Sequence, residues 1–188
     1  MLNVAKGIFS RIRNMYRNCE ARYYMKRYGK KSVRNYPIKV GFIVQMAEIW
    51  DKQVLVYEEM KRKKEFEVFL LVVPFYDFEN RINNTTYESN YFIDNYAEAI
   101  KVYNDDGSVF DIDTLDLDYV FYQRPYDVYL PCELRSGKLM KRIKCCYIPY
   151  GFVGSDVFNE GNSDPLFFRN IYFSFLESEY IRNILVSK

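Results

Sequence analysis

Apolar positions in this chain recur with two periods, and their alternation lays out a sheet with helical cover. The helical period comes first. Val4, Ile8, Ile12 and Met15 recur at helical spacing, with Phe9, Tyr16 and Cys19 on or near the same stripe, and they predict a helix over residues 2–28. Arg11, Arg13, Arg17 and Arg22 fill much of its remaining surface. Gly29–Pro37 reads as a linker. The run Ile38-Lys39-Val40-Gly41-Phe42-Ile43-Val44-Gln45 is short, apolar and rich in β-branched residues, the pattern of a buried central strand. Over residues 48–64 the period returns to that of a helix, with Trp50, Val54, Tyr57 and Met60 spaced by three and four. Lys61-Arg62-Lys63-Lys64 closes that helix with cations that complement its dipole. Glu67 to Pro74 is a second buried strand. Strand, helix, strand is a βαβ unit, which requires a parallel pairing and a right-handed crossover.

The same alternation continues less regularly. A helix is predicted over 86–97, a short strand over Ile100–Tyr103, a turn at Asp106-Gly107 and a strand over Tyr119–Gln123 that Arg124-Pro125 breaks. A short basic helix over 132–142 leads into a strand over Ile143–Ile148, stopped by Pro149-Tyr150-Gly151. Residues 165–185 read as one aromatic-rich helical stretch. The predicted fold is therefore α/β: a Rossmann-like parallel sheet of about five strands with flanking helices, preceded by a basic amphipathic helix. The boundary falls between residues 1–36 and 37–188. Ile184-Leu185-Val186-Ser187-Lys188 resembles the start of a further strand, which gives the expectation that a second domain follows.

Charge changes this picture at one end. Residues 1–34 hold ten basic side chains, Lys6 to Arg34, against the single acid Glu20, a net +9. The whole chain carries +2, which leaves residues 35–188 at −7. A basic amphipathic helix of this kind suits an anionic membrane surface; the alternative is a helix packed on its own domain with solvated arginines. An extended nucleic-acid interface is not expected on a body that repels phosphate. Aromatic residues make up 19% of the chain, 19 tyrosines and 15 phenylalanines among them. Such a surface suits recognition, although an AT-rich coding sequence gives the same excess.

Histidine is absent, which removes the commonest general base and the commonest metal ligand, and with them serine–histidine and cysteine–histidine catalysis. The four cysteines, 19, 132, 145 and 146, have no metal-binding spacing. The loop after the first strand lacks the glycines of a dinucleotide fingerprint, and no phosphate-binding P-loop occurs. No secretory leader or long apolar span is present, so the chain is expected in the cytoplasm, peripheral at the inner face of the cell membrane, with reduced thiols.

In an open parallel sheet, ligands bind beyond the carboxyl ends of the strands. Three strand ends carry polar or aromatic groups: Gln45 with Glu48, Trp50 and Asp51; Gln123-Arg124-Pro125-Tyr126-Asp127; and Pro149-Tyr150-Gly151. If the strands are co-directional, all three lie on one rim. Arg124 then clamps a phosphate or carboxylate, Asp127 or Glu48 orients a hydroxyl, and Tyr126 and Tyr150 stack on a sugar or ring. The plain alternative is an exit turn in which Arg124 pairs with Asp127. Acid pairs such as Asp105-Asp106 and Asp116/Asp118 lie in turns and read as solvated.

The segments Lys39-Val-Gly-Phe-Ile-Val-Gln45, Tyr119-Val-Phe-Tyr-Gln-Arg-Pro-Tyr-Asp127 and Cys146-Tyr-Ile-Pro-Tyr-Gly-Phe152 resemble the amino-terminal half of CDP-glycerol glycerophosphotransferase-like proteins. These are two-domain (GT-B) transferases that build teichoic-acid-like and related surface polymers. The resemblance covers roughly residues 36–185. It implies an acceptor-side domain for a polyol phosphate or sugar, with no cofactor of its own. A nucleotide-activated donor, CDP-glycerol or a nucleotide sugar, is then expected on a separate carboxyl-terminal domain. It implies substrate binding at Gln45, Glu48, Gln123, Arg124, Tyr126, Asp127, Tyr150 and Gly151. Family members carry Trp-His-Gly where this chain has Pro149-Tyr150-Gly151, so only Gly151 fits that pattern and a general base there is in doubt. The rival expectation is a non-catalytic, flavodoxin-like binding or interaction module.

Overall fold

A computed structural model describes residues 2–29, 37–77, 82–85, 87–104, 106–151, 165–176 and 178–187. The chain separates into two compact units, Met1–Val33 and Arg34–Lys188. The first is the predicted helix, α1 (Leu2–Gly29). Most of the predicted linker lies outside the described residues.

The second unit is built on six parallel strands: β1 (Ile38–Val44), β2 (Phe66–Val72), β5 (Ala99–Lys101), β6 (Tyr119–Tyr122), β7 (Lys144–Tyr147) and β8 (Phe173–Ser174), in the order β5-β2-β1-β6-β7-β8. Counting only these strands, the order is 3-2-1-4-5-6, the doubly wound dinucleotide-fold arrangement. This corrects the flavodoxin-like alternative, whose order is 2-1-3-4-5. It also adds a sixth strand, because the stretch read as one helix over 165–185 divides into α5 (Pro165–Arg169), β8 and α6 (Glu179–Ser187). The final apolar residues therefore belong to a helix and not to a new strand. A separate antiparallel pair, β3 (Phe75–Asp77) with β4 (Ile82–Thr85), rises from the end of β2 and was not legible as strand.

Between β1 and β2, the predicted single helix is a 3₁₀ turn, Ala47–Lys52, followed by α2 (Val54–Lys61). Gln53, at φ −120° and ψ −20°, separates the two. Trp50 and Tyr57 still reach the same face of the sheet, with Phe92 of α3 (Tyr87–Asn95). They cover Val40, Phe42, Val44, Leu70, Val72, Phe121 and Cys146, every second residue of their strands. Phe42 stacks on Phe121 at 4.9 Å, and Trp50 donates its indole N–H to the Tyr96 hydroxyl at 2.7 Å, so the one polar atom of that ring is satisfied inside the core.

The opposite face carries Tyr122, Cys145 and Tyr147, covered by Leu134, by Leu139 of α4 (Ser136–Leu139) and by Phe167 of α5. The Tyr122 hydroxyl donates to the Leu134 carbonyl at 2.9 Å. Gly41 belongs to this face. A Cβ there would lie 2.9 Å from Cδ1 of both Leu117 and Leu71, which are themselves buried. Gly41→Ala is expected to cost about 1–3 kcal/mol through overpacking, read as a lower urea midpoint at constant slope. A midpoint equal to that of the parent would mean the two leucines retract freely.

The acidic turns cap and join elements. Asp111 accepts from the Asp113 N–H at 3.1 Å, Asp116 closes the following 3₁₀ turn (Ile112–Leu115) at φ 54°, and Asp118 accepts from the Lys39 N–H at 3.0 Å. Gly107 occupies φ 84° in the turn that Asp106 and Ser108 stabilise, and Tyr103 bridges to Val109 across it.

Candidate functional site at the carboxyl rim of the sheet

β1 and β6 are neighbours, and after them the chain departs in opposite directions across the sheet. This is the switch point where an open α/β sheet leaves a crevice. Here the sequence fills the base of that crevice with glutamine. Gln123 follows β6 and is buried. Its Oε1 accepts from the backbone N–H of Gln45 at 2.8 Å and of Met46 at 2.9 Å, and its Nε2 donates to the Met46 carbonyl at 2.7 Å. One side-chain amide thus satisfies three backbone groups of the chain leaving β1. Gln45, equally buried, donates from Nε2 to the carbonyls of Tyr129 at 2.8 Å and Pro74 at 3.4 Å. Gln53 donates from Nε2 to the carbonyls of Tyr122 at 3.0 Å and Ile148 at 3.2 Å. Three amides therefore hold together the exits of β1, β2, β6 and β7.

Gln45 and Gln123 are on the predicted rim, but as its frame. Both polar atoms of Gln123 and the Nε2 of Gln45 are bonded to backbone. Asp127 is likewise committed: its two carboxylate oxygens accept from the N–H and the hydroxyl of Ser136, both at 2.7 Å, and so tie the turn Asp127–Tyr129 to the start of α4. Asn170 donates from Nδ2 to that hydroxyl at 3.0 Å. Trp50 belongs to the core. Glu48 is exposed on the 3₁₀ turn and makes no hydrogen bond or ion pair among the described residues. Gly151 is exposed and a Cβ there would meet nothing within 4 Å, so space does not demand glycine.

Above this frame, Arg124, Tyr126 and Tyr150 do converge, together with Tyr129. The Arg124 guanidinium lies 4.4 Å from the centre of the Tyr129 ring and 5.3 Å from that of Tyr126. Tyr126 meets Tyr129 edge-on at 6.0 Å, and its hydroxyl is 3.3 Å from that of Tyr150. Tyr126 precedes the 3₁₀ turn Asp127–Tyr129 in extended backbone, and Tyr129 ends that turn, three residues on. That i, i+3 spacing was the signal for Tyr129, which the sequence reading did not single out. Burial pulls the Arg124 pKa down, against the opposing pull of the Tyr150 and Tyr129 hydroxyls, yet a guanidinium remains charged. Burial first, and the hydrogen bond with Tyr150 second, push the Tyr126 phenol up, so it serves as a neutral hydrogen-bonding group. The rim thus presents a fixed, half-buried cation in an aromatic frame. Among the described residues no cluster of acids and cysteines has the makings of a metal site, and no helix is long and apolar enough to cross a membrane.

Sheet order and switch-point rim together define a Rossmann-like α/β domain of the doubly wound class. Comparison with protein-family models, curated proteins and solved structures found no match to this chain.

Proposed function

We propose that the rim at the switch point binds a small phosphate- or carboxylate-bearing ligand, and that the chain acts as the acceptor-binding domain of a glycosyl- or glycerophosphotransferase in cell-surface polymer synthesis. One observation carries the reading: Arg124 is stacked on Tyr129 and Tyr126, beside Tyr150, where an α/β sheet of this order opens. The guanidinium fork meets two oxygens of a phosphate, and the tyrosine rings and hydroxyls face the polyol or sugar that bears it. Such a ligand is a polyol-phosphate or sugar acceptor. Its hydroxyl oxygen would form the new bond to the phosphorus or anomeric carbon of the donor, the bond from that atom to the nucleotide's phosphate oxygen would break, and the hydroxyl proton would pass to the departing nucleotide phosphate. Donor binding, from CDP-glycerol or a nucleotide sugar, belongs in this reading to a separate domain.

Calorimetric titration of the chain with glycerol 3-phosphate and with hexose phosphates tests the binding step. Arg124→Lys keeps the charge but loses the planar fork and its stacking, and is expected to weaken binding by about 10- to 100-fold. Tyr150→Phe is expected to weaken it by about 5-fold, one neutral hydrogen bond. Absence of heat with every phosphorylated polyol and sugar, or an unchanged affinity in Arg124→Lys, rejects the site. Binding without transfer from any nucleotide-activated donor by the full-length protein would instead leave a binding module.

A further inference from the structure

Helix α1 carries a set of large apolar residues along one side. Ile8, Phe9, Ile12, Met15, Tyr16 and Tyr23 are between 53% and 73% exposed. At about 100° per residue they occupy a single sector about 120° wide. Arg11 and Arg22 border that sector on one side, Lys6, Arg13 and Arg17 border it on the other, and Lys26 and Arg27 fall within it in the last turn of the helix, all exposed. Glu20 is the one acid of the helix. From this arrangement we infer that α1 lies flat on an anionic lipid bilayer, with Ile8, Ile12 and Met15 in the acyl boundary and the two rows of bases at the headgroups.

The charge pattern selects this occupant. A second copy laid along the stripe would bring two pairs of basic rows together. A nucleic acid would engage the bases but leave three large aliphatic side chains in water. An anionic bilayer satisfies both rows and removes the stripe from water at once. The acidic body of residues 35–188, at −7, is repelled by the same surface, so the attachment is confined to α1. This inference does not rest on the ligand proposed for the rim.

The test is sedimentation of the whole chain with phosphatidylcholine vesicles and with vesicles that also contain phosphatidylglycerol. Pelleting is expected only with the anionic vesicles. Arg13→Ala combined with Arg17→Ala is expected to lower partitioning by about 30-fold, two bases removed from the surface. Ile12→Asp, at an exposed position, is expected to abolish pelleting while the urea midpoint of the protein stays that of the parent. Equal pelleting with neutral vesicles, or full pelleting of Ile12→Asp, overturns the inference. So does self-association in sedimentation velocity that Ile12→Asp removes while no vesicle binds.

Discussion

Gln123→Leu is expected to lower the unfolding free energy by about 4 kcal/mol, the largest single effect available at the rim. The substitution preserves bulk but strips three partners at once: the N–H groups of Gln45 and Met46 and the carbonyl of Met46. Each buried backbone group left without a partner costs about 1–3 kcal/mol, and of the three, the Gln45 N–H is buried while the two Met46 groups are part-buried. Urea denaturation would read the change as a lower midpoint with an unaltered slope. Gln45→Leu removes donors to two carbonyls that lie nearer the surface, and a smaller loss is expected. A loss below about 1 kcal/mol in Gln123→Leu would show that water replaces the amide, and the frame would then not be what fixes the rim. Because Tyr129 is anchored through its carbonyl by Gln45, loosening the frame should also weaken ligand binding at Arg124 without removing any ligand contact.

Alkaline unfolding is expected well before the backbone itself is at risk. Burial pushes the Cys146 thiol up to about 12, raises Cys145 further, and holds the Tyr122 phenol well above its ordinary value. Each group keeps its proton in the folded state at a pH where the unfolded chain has released it. The Cys146 contribution is complete below the ordinary thiol value of 9.0 and is lost as pH rises from there toward about 12; those of Cys145 and of Tyr122, the latter starting from the phenol value of 10.0, are lost over a range that extends higher. Within its own range the slope is about −1.4 kcal/mol per pH unit for each group. Cys145→Ala combined with Cys146→Ala should flatten the dependence above the thiol value, leaving the tyrosine contribution at higher pH. Urea midpoints followed by circular dichroism across that range check the sign; a midpoint that holds steady up to about pH 11 would mean the thiols ionise in place.

Stability at the rim and chemistry at the rim thus come from different residue types. Amides bury themselves to satisfy backbone, while one cation and three phenols remain at the mouth. A binding role suits this division, since the frame ties the Tyr129 backbone beside Arg124.

Much of the architecture was legible along the chain because it depends on local period. The apolar runs at Ile38–Val44 and Phe66–Val72 declared strands buried on both faces, and Trp50 and Tyr57 declared the face of the intervening helix even though Gln53 divides that helix in two. The stripe of α1 could be read from spacing alone. Period also placed Gln45, Arg124 and Tyr150 at strand ends. What they do there was decided only by tertiary structure. The strand order 3-2-1-4-5-6 sets β6 beside β1, and that neighbourhood brings residue 123 within reach of residues 45 and 46, 77 or more positions away. A glutamine has the same propensities whether it meets a ligand or a backbone amide, so no local pattern distinguishes the two. The short β8 and the β3–β4 pair escaped for a related reason. Two to four residues are too few to show a period, and such strands exist because a neighbouring edge offers hydrogen bonds, which is information the sequence carries only through the fold.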